Sequence, residues 1–215
     1  MKKLILYIVV NFVCIISYSQ TAIKVFFDTN TVVKEESLKD LPVHIRAAAL
    51  QQLNSIKKES AMIVQGNTVY FEIKPQQIDK KQKGTINSND RTSGVLFSKD
   101  LSLEGSYPGL KILKNFKTKT IKTKIKGKLT TEKLVAVNWK ITNKKKKILS
   151  YTCYEATTTF KNKLLTVYVT NDLKVSGSPS DLPFINGLVL LYKHGNSTTT
   201  AQRIELNQEE PLNFL

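Results

Sequence analysis

The sequence predicts an α+β protein dominated by one antiparallel, twisted and curved sheet of sequential hairpins, with one helix packed on that sheet. Most of the chain alternates apolar and polar residues with the period of a strand. Turn signals recur about every 10 to 15 residues, which favours an antiparallel meander over parallel βαβ units. Helical spacing of apolar residues is confined to one stretch. A hydrophobic content of 41% is sufficient for one domain with a buried core.

The first strands follow from two alternating segments, residues 22–27 and residues 67–74. The pair Gly66-Asn67 separates the second segment from an apolar run at residues 61–64. Because Gly and Asn accept the positive φ angles of tight turns, this arrangement predicts a β-hairpin.

The helix is predicted at about residues 40–57, with Asp40 as its N-cap and Pro42 in its first turn. Its apolar residues form a narrow stripe, which is typical of a helix packed on a sheet. The polar and glycine-containing residues 75–93 predict a mobile surface loop within the domain.

The C-terminal half predicts further strands. Residues 135–141 alternate around Trp139, the polar residues 143–147 indicate a break, and residues 148–160 resume as a strand. The lysine run within that break is most simply a hairpin turn. Later strand segments are residues 165–169, 188–192 and 197–206.

The N-terminus has the pattern of a secretory signal peptide. Two lysines precede an apolar run at residues 4–16, and residues 17–19 give a small-x-small cleavage pattern. We therefore expect residues 1–19 to be cleaved and residues 20–215 to form a single domain. The mature chain should contain no transmembrane span. Export to the periplasm, the outer-membrane surface or the medium follows.

Positive charge is concentrated in residues 111–147, which hold 14 lysines and one acidic residue. In this stretch Lys122, Lys124 and Lys126 alternate with apolar or β-branched residues, so we take these three lysines as a candidate surface. Such a row either protects a sheet edge from pairing or attracts an anionic envelope surface, such as lipid headgroups or an acidic glycan. Another envelope protein is the further partner considered. Nucleic acid is disfavoured because the stretch lacks arginine and has few aromatic residues to stack on bases.

No motif for catalysis or cofactor binding is present in the sequence. The phosphate-binding, zinc-protease and nucleophile-elbow patterns are absent, so no catalytic residue, cofactor or metal site is predicted. His44 and His194 lie far apart in the chain. Cys153, the single cysteine of the predicted mature chain, is expected to be a buried structural thiol beside Tyr151. The alternative is a Cys–His nucleophile.

A family resemblance is carried by the C-terminal half. Trp139, a charged turn and the strand I-L-x-Y-x-C-x-x-A-T at residues 148–157 resemble the GLPGLI family of secreted Gram-negative envelope proteins. Residues 184–189 occupy the place of the GLPGLI signature, although Phe184 and Asn186 replace its first Gly and its Pro. Trp139, Tyr151 and Cys153 would then be structural residues. The resemblance implies an exported, β-rich envelope protein and no particular reaction.

The bend at Asn186-Gly187 has two interpretations. A tight turn that leads into the apolar strand at residues 188–191 explains these residues structurally. A pocket beside the bend would instead make them binding residues, since curved sheets often bind ligands at such ends. For the whole chain the first hypothesis is a non-enzymatic binding or interaction module. The alternatives are a carrier of an apolar or lipid-like ligand in a curved-sheet cavity and a hydrolase that uses Cys153.

Overall fold

A computed structural model describes residues 22–82 and 101–208; the predicted signal peptide lies outside these ranges. The elements in chain order are β1 (Ala22–Thr31), a 3-10 helix (Glu35–Leu38), α1 (Val43–Asn54), β2 (Lys57–Gln65), β3 (Thr68–Ile73), β4 (Gln76–Gln82), β5 (Leu101–Tyr107), β6 (Leu110–Asn115), β7 (Thr120–Ile125), β8 (Lys128–Lys133), β9 (Lys140–Ile148), β10 (Tyr151–Phe160), β11 (Lys163–Thr170), β12 (Leu188–His194) and β13 (Ser197–Gln208).

One antiparallel sheet of 11 strands dominates the fold, in the order β8-β7-β6-β3-β2-β1-β13-β12-β11-β10-β9. Most neighbours in this order are consecutive in the chain and are joined by short turns. The β-dominated fold class predicted from the sequence is therefore confirmed. The predicted hairpin around Gly66-Asn67 is also found, as β2 and β3.

The sheet is open and strongly curved, as its connectivity requires. Strands β8 and β9 are its two opposite edges, yet only residues 134–139 connect them. Fully extended, the seven residue steps from Lys133 to Lys140 reach about 25 Å, whereas 11 strands laid flat would span about 48 Å. The two edges must therefore approach each other at the end where this connector passes.

The concave face of the sheet is covered by an inner segment, residues 171–187. Gly177 forms a parallel bridge with Leu188, and a Cβ on Gly177 would lie 2.5 Å from Cγ2 of Val64. Leu182 and Ile185 are buried at the other end of this segment. Side chains of the chain itself therefore occupy the concave side that the carrier hypothesis would assign to an apolar ligand.

Two apolar clusters line that concave face. The larger cluster is built mainly on the middle strands, around Phe27, Met62 and Phe71. The smaller cluster joins β10 and β11 to the end of the inner segment and includes Phe160. Trp139 packs against this smaller cluster. The inner segment thus contributes to both halves of the core.

The helix α1 is shorter than the sequence predicted, since it begins at Val43 rather than at Asp40. The guanidinium of Arg46 donates hydrogen bonds to the carbonyl oxygens of Leu41 (2.8 Å) and Lys39 (2.6 Å), which stabilises the turn before the helix. At the other end, Oδ1 of Asn54 accepts a hydrogen bond of 2.7 Å from the backbone of Val33.

A two-stranded arm replaces the start of the predicted loop. Strands β4 and β5 pair in the same register as β3 and β6, because Ile73 faces Leu110 and Gln76 faces Tyr107. The arm is therefore a continuation of the β3–β6 pair, interrupted where Pro75 meets Gly109, whose φ is +78°. All of residues 76–82 except Ile78 are polar or charged, so the sequence pattern did not indicate this strand. Residues 83–93 of the predicted loop lie outside the described residues.

The predicted break at residues 143–147 is wrong, because these residues form the middle of β9. The turn lies instead at Leu149-Ser150, with Leu149 at a φ of 54°. A run of lysines is compatible with a strand here, since β9 is an edge strand whose side chains are almost all exposed. Residues 135–139, predicted as part of a strand, are irregular.

Candidate functional site

A cleft of about 770 Å³ opens at one end of the curved sheet. Four segments that are distant in sequence form its walls: the β2–β3 turn, the β6–β7 turn, the connector at residues 134–137 and the inner segment. The lining residues are Gly66, Asn67, Phe116, Lys119, Leu134, Val135, Ala136, Val137, Lys174, Val175, Ser176 and Phe184. Its volume lies within the range of natural ligand sites.

An aromatic pair lies in the cleft. The rings of Phe116 and Phe184 meet edge to face, with centroids 4.7 Å apart and an interplanar angle of 63°. Phe184 remains 45% exposed, which is unusual for a large apolar side chain in a well-packed domain. Nε1 of Trp139 donates a hydrogen bond of 2.8 Å to the Phe184 carbonyl oxygen and thereby ties the connector to this wall.

The turns around the cleft are fixed by backbone hydrogen bonds. The N–H of Phe116 donates to the Asn67 carbonyl oxygen at 2.9 Å, and the N–H of Leu134 donates to the Lys119 carbonyl oxygen at 2.9 Å. These bonds join the two turns and the connector to one another. The cleft is therefore preformed rather than assembled from unattached loops.

The polar groups of the cleft are two lysines, one amide and one hydroxyl. Lys119 and Lys174 are exposed and belong to different walls. Within the described residues, neither ammonium forms an ion pair, and the cleft lining contains no carboxylate. The Ser176 hydroxyl donates to Oδ1 of Asn186 (3.1 Å) and accepts from the Gly187 N–H (3.0 Å). The cleft thus combines an apolar floor with unneutralised positive charge.

The bend at Asn186-Gly187 borders the cleft but does not line it. Gly187 has a φ of +103°, and a Cβ there would lie 2.4 Å from Oδ1 of Asn171 and 2.6 Å from Cγ1 of Val169. Its carbonyl oxygen accepts a hydrogen bond of 3.0 Å from the Gly177 N–H. The glycine is therefore required by backbone conformation and by close packing. Its neighbours Ser176 and Phe184, rather than the bend itself, face the cleft.

A buried lysine behind the cleft wall was not predicted from the sequence. Lys114 is 0% exposed, and its Nζ donates to the Ser178 carbonyl oxygen, to Ser178 Oγ (2.9 Å) and to the Leu182 carbonyl oxygen (3.2 Å). Burial lowers the pKa of Lys114 to about 7, although the negative charge of Asp181 acts in the opposite direction. The three acceptors match the three N–H groups of an ammonium. Lys114 thus connects β6 to the inner segment.

The strand pattern contained a signal for this lysine. Leu110 and Ile112 of β6 and Phe116, which directly follows the strand, pack on the core. Lys114 occupies the intervening position on the same face. Period-two alternation alone therefore indicates that Lys114 points inward. The surrounding lysine-rich stretch obscured this signal.

Cys153 is fully buried in the larger apolar cluster, against which Tyr151 packs. Burial, followed by the negative charge of Asp172, raises the pKa of the Cys153 thiol to about 11. The described contacts of its Sγ include the Tyr151 carbonyl oxygen at 3.8 Å and no histidine. Such a thiol is a poor nucleophile because little thiolate forms near neutral pH.

A buried carboxylate stabilises the irregular pairing of β9 with β10. Glu155 accepts hydrogen bonds from the Tyr168 hydroxyl (2.7 Å) and the Thr142 hydroxyl (3.0 Å), and Nζ of Lys144 lies 3.5 Å from it. The hydrogen bond from Tyr168 is the main cause that lowers the pKa of Glu155. The register of the β9–β10 pairing shifts at this point, which indicates a bulge. The contacts of Glu155 therefore stabilise the edge strand where its regular pairing is interrupted.

The predicted lysine row is only partly regular. Ile121 is buried in the core and Lys122 is exposed, as alternation predicts. Further along the strand the alternation fails, because Lys124 is half-buried and Ile125 is 44% exposed. Lys126 lies beyond β7 in a turn, at a φ of 49°. Strand β7 is not an edge strand, because it pairs with β8 on one side and with β6 on the other. The lysine row therefore does not protect a sheet edge. Its attraction for an anionic surface stays a prediction.

Within residues 22–82 and 101–208, no three His, Cys, Asp or Glu residues form a group that could hold a metal ion. Among the helices of this part of the chain, none is long and apolar enough to cross a membrane.

Comparison with known proteins relates this chain to an N-glycanase domain. A family model described as "N-glycanase peptide, N-terminal domain" matches residues 111–213. A structure of PNGF-II in space group C2 has 16% identity and a TM-score of 0.54, over 89% of this chain and 28% of that chain. A second, in space group P21, has 17% identity and a TM-score of 0.57, over 91% and 30%. No curated protein matches the chain.

These likenesses establish the fold at the level of the sheet architecture. The chain spans less than a third of the length of the two PNGF-II chains, so it corresponds to one part of them. The matched residues 111–213 include both phenylalanines and both lysines of the cleft. The resemblance to the GLPGLI family stays a prediction. The chain is similar to the N-terminal domain of an N-glycanase.

Proposed function

We propose that this chain is an exported glycan-binding module without catalytic activity of its own, and that a carbohydrate binds in the cleft and packs on the adjoining rings of Phe116 and Phe184. The observation that carries the proposal is an aromatic pair within a preformed concave site, in which Phe184 is exposed and Phe116 is partly buried. Sugar rings present apolar C–H faces that pack on aromatic rings, and their hydroxyl groups require polar partners nearby. The amide of Asn67 lies on the rim and supplies such a partner.

The comparisons support the choice of ligand class. The matching family model carries the name of an N-glycanase, and the matched part is its N-terminal domain. An accessory domain that holds an Asn-linked glycan would suit such an enzyme. The short length of this chain relative to PNGF-II is consistent with a binding part that lacks the remaining portion.

A sequence pattern supports export, and two structural features favour a non-catalytic binding module over the alternatives. The signal-peptide pattern of residues 1–19 would direct the chain out of the cytoplasm. Outside the cytoplasm the chain would encounter glycans of the envelope and of other cells. The buried, weakly acidic thiol of Cys153 gives no support to the hydrolase alternative. The filled concave face gives none to the lipid-carrier alternative.

The test is calorimetric titration of the mature chain with a neutral Asn-linked glycopeptide and with the same peptide lacking the glycan. We expect binding of the first ligand alone. Phe184→Ala should weaken that binding about five- to tenfold, the range of an aromatic contact worth roughly 1 kcal/mol. Leu164→Ala is the matched control, because Leu164 is 66% exposed and does not line the cleft.

Equal binding of both peptides, or equal loss in the Phe184→Ala and Leu164→Ala variants, would contradict the proposal. Mass spectrometry of the glycopeptide after incubation separates binding from catalysis. We expect the glycopeptide to remain intact. Release of its glycan would show that the chain is an enzyme and refute the non-catalytic part.

A further inference from the structure

The cleft lining carries two positive charges, and no carboxylate of the lining neutralises them. Several lysines elsewhere lie beside a carboxylate: Lys111 is 3.7 Å from Glu72, and Lys144 is 3.5 Å from Glu155. Lys119 and Lys174 have no such neighbour within the described residues. An excess of unpaired cations in a concave site strengthens the local potential and attracts an anion.

The two lysines belong to different walls of the cleft. Lys119 ends the β6–β7 turn, and Lys174 belongs to the inner segment. Backbone hydrogen bonds secure both positions, since the Lys119 carbonyl oxygen accepts from the Leu134 N–H (2.9 Å) and the Lys174 N–H donates to the Asn171 carbonyl oxygen (3.3 Å). The charges are therefore attached to preformed walls. Flexible lysine side chains supply only the final adjustment.

We infer that the cleft selects an acidic carbohydrate, whose carboxylate or sulfate group lies between Lys119 and Lys174 while a sugar ring packs on the aromatic pair. This inference rests on the proposed function and specifies its ligand. A free inorganic anion would leave the apolar floor of a cleft of about 770 Å³ uncovered. A neutral glycan would leave the two ammonium groups without a partner. An acidic sugar satisfies both parts of the site.

The experiment compares three glycopeptides with one peptide sequence at about 100 mM salt, where charges separated by more than about 10 Å are screened. One carries a glycan that ends in sialic acid, one carries a sulfated glycan, and one carries the same glycan without an acidic group. We expect at least one acidic form to bind about tenfold more tightly than the neutral form, which corresponds to roughly 1.4 kcal/mol. The preferred acidic form identifies the group as carboxylate or sulfate.

The double variant Lys119→Gln with Lys174→Gln assigns this preference to the cleft. It should bind the acidic and neutral glycopeptides equally, with the affinity of the wild type for the neutral form. The matched control is Lys128→Gln with Lys147→Gln, which removes the same charge from exposed edge-strand residues. We expect this control to retain the full preference.

The outcomes separate this inference from the proposed function. Equal affinity of the wild type for all three glycopeptides would overturn the inference while glycan binding stands. If the double variant and the control lose the preference for the acidic glycopeptide to the same extent, the inference is also overturned, because net charge would then explain the preference. Competition by inorganic sulfate as effective as that by the sulfated glycopeptide would do the same. If none of the glycopeptides binds, the proposed function itself fails.

Discussion

The charge state of Lys114 can be tested by replacing it with methionine, an uncharged side chain of similar length. In the folded protein burial lowers the pKa of Lys114 to about 7, whereas its ordinary value is 10.5. Between these two pH values the unfolded chain binds one more proton than the folded chain. The free energy of unfolding therefore rises with pH between about 7 and 10.5. It is lowest at and below about pH 7, where the buried amine of the folded protein is charged.

The magnitude follows from the two pKa values. The slope of the free energy of unfolding approaches 1.36 kcal/mol per pH unit where only the unfolded chain holds the proton. From pH 7.5 to 9.5 the wild type should gain about 2.5 kcal/mol relative to Lys114→Met. At either pH the variant also leaves the Ser178 carbonyl oxygen without its amine donor, which costs about 1–3 kcal/mol.

Urea unfolding monitored by the single tryptophan, Trp139, measures this difference, because Trp139 donates a hydrogen bond to the inner segment that Lys114 holds. Lys122→Met is the control, since Lys122 is an exposed lysine on the outer face, and its difference from the wild type should not change with pH. A constant difference between wild type and Lys114→Met from pH 7.5 to 9.5 would refute the reasoning. It would mean that the three acceptors keep the ammonium charged despite burial.

Three further outcomes are expected. Gly187→Ala should lower the free energy of unfolding by about 2–4 kcal/mol in urea titrations because its Cβ would meet three atoms within 2.8 Å, whereas Gly127→Ala, with open space around it, should cost about 1 kcal/mol. Cys153 should react with iodoacetamide at pH 8 only after unfolding, since at a pKa of about 11 roughly one thiol in a thousand is ionised; rapid labelling of the native chain would exclude a core position. Replacing all four lysines of residues 144–147 with threonine should increase aggregation, measured by light scattering, because β9 is an exposed edge; unchanged solubility would argue against edge protection.

Local periodicity explains which elements the sequence could predict. The hairpin of β2 and β3 combines alternating residues with the two turn residues Gly66 and Asn67. The residues that specify this hairpin therefore all lie within about 15 positions of the chain. The burial of Ile121 and the exposure of Lys122 follow from the same alternation. In each case the information is local, and neighbouring strands only confirm it.

The elements that the sequence missed depend on neighbours distant in the chain. Strand β9 has few apolar residues because an edge strand exposed on both sides does not need them, and its lysines therefore suggested a turn. The cleft combines Asn67, Phe116, Val135 and Phe184, which come together only when the inner segment crosses the sheet. No pattern within one window could indicate that assembly.

The curvature of the sheet gives the lysine-rich stretch a role that its charge alone did not suggest. Strands β8 and β9 are the two free edges, and a six-residue connector, residues 134–139, brings them towards each other. Both edges carry lysines, most densely at residues 144–147 of β9. Like charges on facing edges oppose direct pairing between them and also discourage pairing with another chain. The same stretch places Lys114 inside the core, where its three oxygen acceptors connect β6 to the inner segment. Lysines therefore lie along both free edges of the sheet, while a single buried amine holds the segment that forms the wall of the cleft.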